Sequence, residues 1–203
     1  MLRWFSLVLP LLFVPMLSGC VWLAAGGAVA GVTTVREERT IGNAVDDVRI
    51  KTELDAKLAA DSTRLFLRAS TTVVEGRILL AGYVTTPEDR LTATRLAWSI
   101  DGVKKVDNDM EVTDRSGWLD AAGDFVIQTE LAAALLADGS IKDVNYTIDV
   151  VHGVVYLMGV GQNPTEVDRV VQHAHDLSGV KRVENYVVLK DDPIRTGIGM
   201  GNE

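Results

Sequence analysis

Residues 50–113 lie over residues 127–190 at a constant offset of 77 with no gap, so two copies of one small unit must account for most of this 203-residue chain. Ile50-Lys51-Thr52-Glu53-Leu54 returns as Ile127-Gln128-Thr129-Glu130-Leu131, and Gly102-Val103-Lys104-Lys105-Val106 as Gly179-Val180-Lys181-Arg182-Val183. Gly76, Gly82, Pro87 and Asn108 return as Gly153, Gly159, Pro164 and Asn185. Glycines and prolines set turns and helix starts, so what is duplicated is a backbone plan. A catalytic constellation, by contrast, is usually present once.

Within the first copy, Ile50, Leu54 and Leu58 recur at helical spacing and predict a helix over about 46–60. Leu65, Leu67, Ala69 and Thr71 alternate with Phe66, Arg68 and Ser70. They read as a strand that runs through Val73-Val74, turns at Glu75-Gly76 and returns through Ile78 and Leu80 to Gly82. Thr86-Pro87-Glu88-Asp89 opens a second helix, with a threonine cap, proline in the first turn and acids behind it. Gly102 ends that helix, and a last strand follows over about 103–112.

The second copy repeats the plan with a helix over 124–137 and a strand in which Val144, Tyr146, Ile148 and Val150 alternate with polar residues. After it come a turn at His152-Gly153, a helix opened by Asn163-Pro164-Thr165-Glu166 and a strand over 180–189. Glu166 is placed to reach back to the Asn163 amide as a capping box. Each unit can bury one sheet face under two helices, which makes the fold class α+β, with two helices on a three-stranded sheet in each domain.

The remaining segments divide the chain into 1–19 as a signal peptide, 20–45 as a tether, 46–113 as the first domain, 114–123 as a linker, 124–190 as the second domain and 191–203 as a flexible, glycine-rich tail. Arg3 followed by the apolar Trp4–Leu17 is an export signal, too short and too proline-interrupted for a membrane-spanning helix. One cysteine cannot form an internal disulfide. Leu17-Ser18-Gly19-Cys20 resembles the bacterial lipobox, in which the cysteine carries diacylglycerol and, after cleavage, an N-acyl chain such as palmitate. Apart from these covalent chains on Cys20, no cofactor is expected. Val21 in place of aspartate favours the outer membrane under the familiar sorting rule. The net charge of −8 argues against nucleic acid as a partner, because phosphate binding needs a basic stripe.

The copies diverge most in their first helices. Arg49, Asp55 and Lys57 become Val126, Ala132 and Ala134, Val48 becomes Phe125, and Ala59 becomes Leu136. With Ile127 at zero and about 100° per residue, Ile127, Leu131 and Leu135 span roughly 0–80°, whereas Phe125, Ala132 and Leu136 fall at roughly 140–180°. This second apolar stripe marks a membrane or a protein contact, unless it packs on the first domain or the linker. Trp118 lies just upstream, where an aromatic suits a membrane interface. Residues 124–190 hold nine acids and five bases, so attraction to head groups would come from a few positions such as Lys142, Lys181 or Arg182.

His173 and His175, two apart on a helix, do not share a metal-binding face. No nucleophile elbow or phosphate loop is present, and Glu53 and Glu130, though repeated, suit a solvated or ion-paired helix face. The chain is not expected to be an enzyme.

Two units of helix, hairpin, helix and strand, each with these glycines and Gly-Val-Lys-Lys/Arg-Val, resemble BON domains. With its lipobox the chain is similar to the dual BON-domain outer-membrane lipoproteins. The resemblance implies a lipid-anchored, non-enzymatic protein on the periplasmic face of the outer membrane that supports envelope integrity. It also implies contact with anionic phospholipid through the first helix of the second domain, where Phe125, Val126, Ala132 and Leu136 are the expected lipid-binding residues, with Trp118 beside them. A scaffold that docks an envelope protein on the same face is the alternative.

Overall fold

A computed structural model describes residues 40–113 and 121–196; the signal segment, Cys20, most of the tether, Trp118 in the linker and the end of the tail lie outside the described residues. The first domain runs α1 (Ile41–Asp61), α2 (Thr63–Arg68), β1 (Ala69–Val74), β2 (Arg77–Val84), α3 (Pro87–Trp98), β3 (Lys105–Asn108) and β4 (Glu111–Val112). The second runs α4 (Ala121–Ala137), a 3-10 turn (Asp143–Asn145), β5 (Tyr146–Val151), β6 (Val154–Gly161), α5 (Pro164–His175), β7 (Arg182–Leu189) and α6 (Pro193–Thr196).

Several elements differ from the sequence reading. Helix α1 starts at Ile41, because the Thr40 side chain accepts from the Asn43 amide; the last five residues read as tether therefore belong to it. Residues 63–68, read as the start of a strand, are helical. Ser62 ends α1 and caps α2 through the Leu65 amide, and helical geometry leaves Leu65 2% and Leu67 74% exposed, where a strand would put both on one face. Val144 likewise sits in the 3-10 turn and not in a strand. The beginning of the tail is a helical turn, α6, and not a loose segment.

In each domain an antiparallel hairpin (β1/β2, β5/β6) is extended by a parallel partner. β3 and β4 pair with β2 from Arg77↔Lys105 to Val84↔Val112, and β7 pairs with β6 from Val154↔Arg182 to Gly161↔Leu189. Helices α3 and α5 make the crossovers that parallel pairing requires. Both hairpins turn through two residues of positive φ, Glu75-Gly76 (54° and 75°) and His152-Gly153 (54° and 78°), the primed turn that matches strand twist.

The repeated asparagines have a structural cause. Asn108 Oδ1 accepts from Met110 N and Asn185 Oδ1 from Val187 N, both at 3.0 Å, so each asparagine satisfies an amide two residues on along its edge strand.

Under the helices lie two cores, one built on Ile50, Leu54, Leu58, Ile78 and Leu80, the other on Ile127, Leu131, Leu135, Val155 and Leu157. The opposite sheet faces are not solvated. Val74, Leu79, Ala81, Tyr156 and Met158 form a third buried cluster where the two sheets back onto each other. Polar contacts frame it: Ser70 Oγ donates to Asp149 (2.5 Å), Tyr186 OH to Asp109 (2.5 Å), and Arg77 to the carbonyls of Tyr186 (2.9 Å) and Gly159 (3.0 Å). Asp109 and Tyr186 are repeat equivalents, so the interface brings matching positions of the two copies together. Burial, then the bond to Asp109, raises the Tyr186 hydroxyl above its ordinary value, which keeps it a donor. Arg195 from α6 closes the arrangement by donating to both oxygens of the buried Glu75 (2.6 and 2.8 Å).

Candidate functional site

Helices α1 and α4 occupy the same place in the two domains and are held there in the same way. The Asp47 carboxylate accepts the amides of Glu75 (2.7 Å) and Gly76 (2.8 Å), and Asp124 accepts those of His152 and Gly153, both at 2.7 Å. A carboxylate one turn before each buried stripe thus satisfies the hairpin turn and fixes the helix start.

Outward, the two helices differ. On α1 the exposed face carries charges that answer one another: Glu53 pairs with Arg49 (3.4 Å) and Lys57 (3.5 Å), and Lys51 with Asp55 (3.1 Å). This is the ion-paired surface expected for Glu53. On α4 the inner stripe, Ile127, Leu131 and Leu135, is buried, while Phe125 is 68%, Val126 51% and Leu136 71% exposed, with Ala132 exposed beside them. The first domain packs on the far side of the sheet, so it leaves this stripe uncovered. Two large aliphatic side chains and a phenyl ring in water are unfavourable by about 1.5–3 kcal/mol each relative to burial.

A groove opens at the start of α4. In the first domain the corresponding groove, about 210 Å³, is lined by Asp46, Asp47, Arg49, Glu75 and Lys104 among others; Arg49 lies across it and donates to the Asp101 carbonyl (2.6 Å). In the second domain it is about 380 Å³, lined by Val126, Ile127, His152, Ser178, Gly179 and Lys181. Val126 stands where Arg49 does, so the arginine donor that the Asp101 carbonyl receives has no counterpart at the Ser178 carbonyl among the described residues. His152 replaces Glu75 and Gly123 replaces Asp46, which removes two carboxylates from beside Lys181. The sequence reading places Val126 among the lipid-binding residues of α4 and gives no groove there.

Of the three cations considered for head groups, Arg182 is paired with Glu184 (2.7 Å), Lys142 donates to the Gln162 side chain (3.2 Å), and Lys181 donates to the His152 carbonyl (2.7 Å) inside the groove. Glu166 does not reach back to the Asn163 amide. Asn163 Oδ1 does cap the Glu166 amide (3.0 Å), but the Glu166 carboxylate turns inward to accept from Tyr146 OH (2.9 Å) and the Lys142 amide (3.3 Å). A buried phenol next to a carboxylate is the stronger demand. Among the described residues no helix is long and apolar enough to cross a membrane.

Comparison with known proteins agrees with this architecture. The chain is 38% identical over 74% of its length to an uncharacterised protein of Anaplasma centrale, covering 99% of that protein. It is 27% identical over 82% of its length to the outer membrane lipoprotein DolP of Haemophilus influenzae, covering 86% of it. The osmotically-inducible protein Y of Escherichia coli is 28% identical over 74% of this chain and 76% of its own length. The BON-domain model matches residues 46–114 and again 123–191, and the chain therefore belongs to the BON-domain family, carrying two copies of that domain in tandem.

Proposed function

We propose that the chain is a non-enzymatic protein anchored through acyl chains on Cys20 to the periplasmic face of the outer membrane, where it contacts anionic phospholipid and supports membrane integrity. The observation that carries the reading is the exposed stripe of α4. Phe125, Val126, Ala132 and Leu136 face water on α4, where the counterpart helix α1 carries the smaller Val48 and Ala59 and the ion-paired Arg49 and Asp55. Similarity to an outer membrane lipoprotein and the lipobox-like Leu17-Ser18-Gly19-Cys20 support the location. Trp118 is proposed to join the contact at the level of the head groups.

Co-sedimentation of residues 21–203 with phosphatidylglycerol-containing vesicles tests it. Phe125→Glu or Leu136→Glu should leave the thermal midpoint unchanged and weaken binding by about tenfold or more each, as expected for one large apolar side chain lost from the contact. Undiminished binding by the folded variants would remove the lipid reading. Crosslinks from Phe125 to an envelope protein, without vesicle binding, would favour a protein-docking scaffold.

A further inference from the structure

We propose that the groove at the start of α4 receives the phosphate-bearing head group of the phospholipid whose acyl region the α4 stripe contacts, an inference that rests on the lipid reading above. Three changes between the two copies point the same way. Arg49→Val126 empties a space that Arg49 crosses in the first domain, enlarging the groove from about 210 to about 380 Å³. The loss of two carboxylates, Glu75→His152 and Asp46→Gly123, leaves Lys181 facing a groove whose one acid among the described residues is Asp124. That acid is already engaged by the His152 and Gly153 amides, both at 2.7 Å. In the first domain the matching Lys104 sits near Glu75, and its charge helps lower the pKa of that carboxyl.

Lys181 spends one N–H on the His152 carbonyl and has two more for an anion. The carbonyl of Ser178, whose counterpart Asp101 accepts from Arg49, can take a hydroxyl or ammonium donor from the same head group. Val126 lines the groove, is itself exposed and adjoins Phe125, so the groove opens beside the proposed acyl-facing surface.

The test compares two arginines placed on the same helix, in residues 21–203 with phosphatidylcholine vesicles that do or do not contain phosphatidylglycerol. Leu136 is larger and more exposed than Val126, so a purely apolar contact makes Leu136→Arg the weaker binder. An occupied groove makes Val126→Arg the weaker binder by about tenfold, the size of one charge-assisted hydrogen bond, because the new side chain can fold across the groove as Arg49 does. The Ser178 carbonyl is ready to accept that arginine, so the variant should keep its thermal midpoint. Lys181→Gln, which leaves every stripe residue in place, should lose the preference for phosphatidylglycerol to the same degree. The reverse order of the two arginine variants, or an unaltered preference in Lys181→Gln, overturns the inference while leaving the lipid reading intact. Saturable binding of glycerol phosphate in solution, without vesicle binding, would assign the groove to a free phosphate ester and overturn it as well.

Discussion

The clasp between Glu75 and Arg195 offers a quantitative test of how the two domains are joined. Glu75 is 4% exposed, sits in the β1/β2 turn at φ 54°, and accepts from Arg195 Nε at 2.6 Å and Nη2 at 2.8 Å. Nearby, Arg77 is 3% exposed and donates across the interface. Glu75→Gln keeps the shape and one acceptor but leaves two guanidinium groups without their shared counter-charge. Removing one member of a buried pair costs about 3–5 kcal/mol; with shape and one acceptor kept, about 3 kcal/mol is expected, roughly a hundredfold in the unfolding constant.

Urea denaturation followed by far-ultraviolet circular dichroism measures this cost, and a cycle with Arg195→Met isolates the pair. The coupling should be about 2 kcal/mol, within the range for directly bonded residues. Burial alone would raise the Glu75 pKa, but the bonds and charge of Arg195, with Arg77 and Lys104, outweigh it and hold the carboxyl below 4.5. A folded pKa below the unfolded one gives stability that is fully present above about pH 4.5 and lost as pH falls through the folded value. The gap between wild type and Glu75→Gln should therefore shrink only in acid below that point. A cost under about 1 kcal/mol, the level of an exposed pair, or a coupling near zero would refute the clasp.

Gly159→Ala should destabilise the second domain by at least about 3 kcal/mol, since a Cβ there would lie 2.1 Å from the Asn145 carbonyl oxygen at φ +143°. Gly139→Ala, with no atom within 4 Å, should change stability by less than about 0.5 kcal/mol, and equal midpoints for the two variants in thermal melts would contradict the packing described. Tyr146→Phe removes the 2.9 Å bond to the buried Glu166 and should cost about 1–3 kcal/mol, read as faster amide exchange in the second domain with the first unaffected. Unchanged exchange would mean that Glu166 is satisfied without the phenol.

What could be read along the chain was whatever depends on near neighbours. The turns at Glu75-Gly76 and His152-Gly153 and the caps at Thr86 and Asn163 are short-range devices, as is the burial of Ile127, Leu131 and Leu135 on one helix face, and all are found where the residues place them. The repeat made each of them visible twice. Alternation misled at 63–68, because Leu65 and Leu67 suit a strand equally well until Ser62 is seen capping a helix. Glu166 misled because the residue that satisfies it, Tyr146, is twenty positions away and meets it only across the folded core.

The interface between the domains lay beyond any such reading. Leu79, Ala81, Tyr156 and Met158 alternate with inward-facing core residues and make both faces of β2 and β6 apolar, a pattern that calls for a cover without saying what supplies it, and Arg77 resembles a surface charge. Only when the sheets are placed back to back do these side chains find each other, and Arg77 finds carbonyls 82 and 109 residues away. The apolar stripe of α4 was legible from its spacing, but its exposure was not, because a second stripe looks the same whether or not another domain covers it. Tertiary packing decided that question by spending the first domain on the opposite sheet face, which leaves Phe125, Val126 and Leu136 in solvent.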